Sequence, residues 1–126
     1  MSMRSPLGRV RGLGSAREGV GHWWAQRMTS LALVPLALWF VASLVTLTGA
    51  DYATAREWIA APVPAALLVL LIVATFYHGA LGFQVIIEDY IHHEGAKVAA
   101  LIAVNGLSLL LGLAGVLSVL MVLFGS

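Results

Sequence analysis

One ionisable residue sits deep in an apolar run. His78 follows Pro64 by 14 residues and precedes Glu88 by 10. A charge there is expensive, so the position invites a functional reading. Neutral imidazole is a common ligand of haem iron, and a helix bundle is a natural place to hold one. The plainer alternative is a neutral histidine hydrogen-bonded to a neighbouring helix. At 100° per residue, Leu71, Thr75, His78, Gly82, Val85 and Asp89 share one stripe. Gly79 and Gly82 leave the helix thin beside the imidazole, as a flat macrocycle or a close helix requires. Small-residue packing explains the same glycines, and Thr75/Gly79 and Ser108/Gly112 fit it too. No other histidine lies deep, so a bis-histidine haem needs its second axial ligand from another chain.

A second cluster, Glu88, Asp89, Tyr90, His92, His93 and Glu94, ends the same run. The Tyr90 phenol can donate a hydrogen bond to a carbonyl, with Asp89 orienting it or relaying protons. This is a suitable depth for a quinone head group, and equally for a solvated helix end with an interfacial tyrosine. Adjacent residues on a loop rarely converge as ligands and no HExxH spacing exists, so His92-His93-Glu94 is not read as a metal site. The third cluster is His22-Trp23-Trp24-Ala25-Gln26-Arg27-Met28-Thr29-Ser30. Arg27 can pair with a carboxylate or propionate, or simply snorkel to lipid phosphate. On the same side as Tyr90, it could frame one pocket with it.

The elements that must position these groups follow from composition. The chain has 126 residues, 60% apolar and 10% charged, against about 25% charged in soluble domains. Three apolar stretches, about 28–47, 64–87 and 98–124, each reach the roughly 20 residues that cross a bilayer as a helix. Helices are the only open-chain solution in hydrocarbon. The predicted fold is an all-α membrane protein of three transmembrane helices packing with a partner bundle. Residues 1–27 form a basic tail and lead-in segment, and 28–126 form the anchor. Arg4, Arg9, Arg11, Arg17 and Arg27 precede the first span, while Arg56 and Lys97 are the other basic residues. The positive-inside bias therefore predicts a cytoplasmic N-terminus, loop 48–63 outside and loop 88–97 inside. The first 20 residues look like a signal-peptide n-region, but the apolar run behind them is longer than a secretory h-region of about 7–15 residues.

Other chemistry is excluded. With no cysteine there are no disulfides, thiolate metal sites or iron–sulfur ligands. A net charge of +1 is no footprint for nucleic acid. There is no GxGxxG, P-loop or plausibly placed Ser/His/Asp set, so the chain would hold and relay while others do substrate chemistry. Three spans cannot form two equal inverted halves, which counts against a transporter working alone.

The stretch GHWWAQRMTSLALVPLALWF, followed by FYHGALGFQVIIEDYIHHEG, closely resembles the smaller hydrophobic membrane-anchor subunits of bacterial succinate dehydrogenase, or complex II. The pattern His78…Gly82…Asp89-Tyr90 carries most of the specificity, and the resemblance spans the whole chain. It implies a multi-pass anchor of a succinate:quinone oxidoreductase in the bacterial inner (cytoplasmic) membrane, in the respiratory chain and tricarboxylic acid cycle. The implied partners are a flavoprotein subunit, an iron–sulfur subunit and a cytochrome b membrane subunit, with which a haem b is shared. Ubiquinone or another quinone is the implied electron acceptor. By the resemblance His78 is an axial haem ligand and Tyr90 the quinone hydrogen-bond donor, supported by Asp89. Arg27, in the Arg-x-Thr match, is a propionate or quinone-site contact, and His22 is a weaker match. No succinate chemistry falls to this chain. Two other readings compete: a small proton-coupled transporter with His78 as relay, and a purely structural anchor. An obligate complex is expected, because a mid-membrane histidine and glycine-rich faces call for neighbours.

Overall fold

The computed structural model describes residues 16–125 and Pro6. Arg4, Arg9 and Arg11 of the basic tail lie outside the described residues, as does the Arg17 side chain. From Ala16 onward the described residues form four helices in order: α1 (Ala16–Thr46), α2 (Tyr52–Ala60), α3 (Pro62–Tyr90) and α4 (Glu94–Leu123). Three of them, α1, α3 and α4, are long and apolar enough to cross a membrane. The protein is all-α among its described residues, as the composition predicts.

The helices outrun the apolar stretches. α1 begins at Ala16, so the lead-in residues 16–27 continue the first span as helix. A hydropathy run marks where side chains are apolar, whereas helical hydrogen bonds are local and continue through polar residues. Pro35 lies inside α1, which the chain passes without a break in helix. At the far end, α3 runs to Tyr90 and α4 starts at Glu94, leaving residues 91–93 as the connection.

Local chemistry sets the boundaries. Gly49, at φ 81°, takes the left-handed conformation that ends α1. Asp51 then caps α2, its carboxylate accepting from the Thr54 N–H at 2.9 Å. Thr54 lowers the Asp51 carboxyl from its ordinary value of 3.8, first through its side-chain hydroxyl and then through that backbone bond. Ala61 is extended and serves as last cap of α2 and first cap of α3, with Pro62 opening α3 where its missing N–H does no harm. His93 caps α4, its Nδ1 accepting from the Ala96 N–H at 3.1 Å. That accounts structurally for half of the adjacent histidine pair.

α3 is the central helix. It packs on α1 and on α4, while the backbones of α1 and α4 stay apart, with no Cα pair within 8 Å among the described residues. Glycines of α4 receive α3: a Cβ added at Gly112 would lie 3.5 Å from Phe76, and one at Gly115 3.3 Å from Ile72. Small residues let apolar helices approach closely where no hydrophobic force drives them together. Gly112 therefore packs as expected, but a Cβ at Gly79 would meet nothing within 4 Å. The apolar core is concentrated at the α2 end. Ala65, Leu68 and Val119 are buried there, with Trp39 and Trp58 stacked above them at 5.6 Å and 22°. Elsewhere most large apolar side chains face outward, the arrangement of a surface meant for lipid or protein.

Candidate functional site

The deepest polar contact joins α1 to α3. Thr29 Oγ1 lies 3.0 Å from His78 Nδ1. The same hydroxyl reaches the carbonyls of Ala25 at 2.8 Å and Gln26 at 3.1 Å. A hydroxyl has one proton, and carbonyl oxygens only accept. All three contacts are satisfied when Thr29 donates back to its own helix and His78 Nδ1–H donates to Thr29. In that arrangement Nε2 carries the lone pair, and no described residue bonds to it.

Toward the Tyr90 end, the Gln26 side chain fills the notch left by Gly82, where an added Cβ would lie 3.8 Å from Nε2 of Gln26. Gln26 Oε1 is buried with no partner. His78 and Gly82 thus share the face that meets α1, as the stripe predicts, while Gly79 borders open space. Thr29 and Gln26 stand in the third sequence cluster, but neither was given a role there. Their signal is positional: His22, Gln26, Thr29 and Leu33 recur at helical spacing along one face of α1, and all are partly buried.

These contacts fix the antiparallel register. Gln26 is level with Gly82 and Thr29 with His78, which puts Arg27 level with about Leu81. Nine residues separate that level from Tyr90, a rise of about 13 Å. Arg27 and Tyr90, which could frame one pocket by the sequence, thus differ by about 13 Å in level, and no contact joins them among the described residues. Arg27 is exposed and lies with Cζ 5.4 Å from the Trp23 ring centre, a cation–π contact within its own helix. Trp23 in turn meets Trp24 edge-on at 5.1 Å.

Tyr90 is the last residue of α3 and 78% exposed. Asp89 and Glu88 are exposed beside it, and none of the three bonds to another described side chain. Lys97 pairs with Glu94 at 3.5 Å, within the first turn of α4. Two open grooves run along the helices away from these groups. One, of about 510 Å³, lies between α3 and α4 and holds the Gln84–Asn105 hydrogen bond of 3.3 Å. The other, of about 290 Å³, lies between α1 and α3 and includes Thr29. Tyr77 borders both.

Fold and site together define an all-α, three-span membrane protein whose polar groups gather on one helix seam and at one helix end. The chain belongs to the succinate dehydrogenase/fumarate reductase transmembrane subunit family, whose model matches residues 1–115. A succinate dehydrogenase hydrophobic membrane anchor subunit from Rickettsia bellii (strain RML369-C) is 31% identical over 107 residues, covering 85% of this chain and 86% of the relative. Subunits of the same description from Rickettsia conorii and Paracoccus denitrificans are each 28% identical. The first covers 81% of this chain and 82% of the relative, the second 79% and 78%. No solved structure matches the chain significantly.

Proposed function

We propose that this chain is a membrane-anchor subunit of a bacterial succinate:quinone oxidoreductase, carrying no succinate chemistry itself. Its partners in that reading are a flavoprotein, an iron–sulfur protein and a larger cytochrome b membrane subunit. The N-terminus faces the cytoplasm, which the excess of arginine before the first span supports. That orientation brings the Tyr90 end to the side where the soluble subunits bind.

The observation that carries the reading is the His78–Thr29 pair. A haem-ligating histidine needs one nitrogen free and the other tied to an acceptor, so that tautomer and ring plane are held. His78 offers that combination, with Nδ1 tied 3.0 Å from Thr29. Gly79 beside it leaves room for a flat group. His78 would hold a b-type haem from this chain's side, with a second ligand supplied by the cytochrome b subunit, and the haem would supply one-electron storage. Arg27, about three residues of helix rise from His78 in level, suits a propionate better than the head group at Tyr90.

At the α3 terminus the exposed Tyr90 phenol donates a hydrogen bond to a quinone carbonyl, polarising it toward reduction. Asp89, the preceding residue, accepts and returns protons at the same helix end. Neither has a partner among the described residues, consistent with a site completed by neighbouring subunits.

The test is a purified four-subunit complex. His78→Ala removes the reduced haem α band while succinate oxidation with a soluble acceptor continues. Tyr90→Phe keeps the band and lowers quinone reductase kcat/KM by about 2- to 13-fold, the value of one hydrogen bond of about 0.5–1.5 kcal/mol. Full haem in His78→Ala, or unchanged quinone kinetics in Tyr90→Phe, overturns the corresponding assignment.

A further inference from the structure

We infer that Thr29 is a positioning residue for the haem iron, setting through His78 the electron-donating strength of the axial imidazole and hence the haem potential. This rests on the haem reading above and deepens it. Three observations carry it. The Thr29 hydroxyl is 3.0 Å from His78 Nδ1. The same hydroxyl lies 2.8 and 3.1 Å from the carbonyls of Ala25 and Gln26, which can only accept, so donating its single proton to them leaves its lone pairs for a ring N–H. The seam is closed toward the Tyr90 end by Gln26, whose Oε1 is buried, against Gly82.

The consequence is electronic as well as geometric. An imidazole that donates its Nδ1–H gains partial imidazolate character, and its other nitrogen becomes a stronger donor. A stronger axial donor stabilises ferric over ferrous iron and lowers the potential. Thr29 sits on α1 and His78 on α3, so the bond also ties ligand orientation to the packing of two spans. A threonine hydroxyl is a suitable acceptor here. It is uncharged in the membrane interior, and its back-bond to Ala25 O holds it in place.

The experiment is a redox titration of the haem in the purified complex carrying wild-type chain, Thr29→Val or Thr29→Ser. Valine keeps the shape and removes the acceptor, whereas serine keeps the hydroxyl. Thr29→Val is expected to retain haem and shift the ferric-to-ferrous ratio at fixed potential about tenfold toward ferrous, or about 59 mV upward for one electron. Thr29→Ser restores the wild-type value. A Thr29→Val complex with wild-type potential overturns the inference and leaves the haem reading standing. A wild-type complex without haem ends both. A second measurement guards against a valine variant that fails to assemble. In the ¹⁵N-histidine-labelled full chain in lipid nanodiscs, without haem, His78 is expected to carry its proton on Nδ1. A dominant Nε2–H form overturns the positioning step by itself.

Discussion

Gly82 offers the sharpest test of the α1–α3 seam, because its two substitutions have opposite expected outcomes. A Cβ there would lie 3.8 Å from Gln26 Nε2, an ordinary contact that displaces nothing. Gly82→Ala therefore keeps the seam, and the better helix propensity of alanine adds up to about 1 kcal/mol. Gly82→Leu drives a branched side chain into the space that Gln26 occupies. Overpacking of this kind costs about 1–3 kcal/mol. It acts about one helical turn from His78, so it separates α1 from α3 where the Thr29–His78 bond forms. The assay is thermal unfolding of the complex in mild detergent, with haem counted per flavin before and after. Alanine should match or exceed the wild-type midpoint with full haem. Leucine should lower the midpoint and weaken haem retention by a factor of about 5 to 150, the same 1–3 kcal/mol expressed as a ratio. A leucine variant with unchanged midpoint and haem content would show that Gln26 and Gly82 do not set the approach of the two helices.

Two further outcomes concern the α2 end. Asp51 caps α2 and its carboxyl is held below the ordinary value by the Thr54 hydroxyl and, after it, the Thr54 N–H. A folded-state value below the unfolded one means the cap stabilises α2 above the ordinary carboxylate range. That contribution is lost as pH falls through the folded value. Amide exchange at Thr54 should therefore quicken, relative to the intrinsic rate, below pH of about 4, and Asp51→Ala should show the faster exchange at every pH. Trp58 stacks on Trp39 at 5.6 Å while only partly buried, so Trp58→Ala should destabilise by about 2 kcal/mol, less than a fully buried tryptophan. Faster proteolysis in residues 52–60 would accompany it, and an unchanged unfolding midpoint would refute the role of this stack.

The all-α class and the number of spans were legible in the sequence. Three apolar runs long enough to cross a bilayer leave helix as the open-chain solution, because every backbone polar group must be paired within the segment. His78 was legible as well, since a lone ionisable residue in such a run stands out by its cost. α2 was not, because a nine-residue helix is too short to show a period. Its evidence is a cap and two side chains, Trp58 and Ile59, that pack against residues distant in sequence.

Hydropathy alone sufficed to find three helices long and apolar enough to cross a membrane, because length and apolarity are one-dimensional properties of each segment. Which side chains meet across the spans was decided only in three dimensions. The sequence allowed Arg27 and Tyr90 to share a pocket, yet antiparallel packing sets them about 13 Å apart along the helices. It treated Gly79 and Gly82 alike, yet one borders open space and the other holds Gln26. Thr29 stood in a noted cluster without a role, and only the fold sets it 3.0 Å from His78. Register and rotation of one helix against another depend on the shapes of both surfaces at once, and no single segment carries that information.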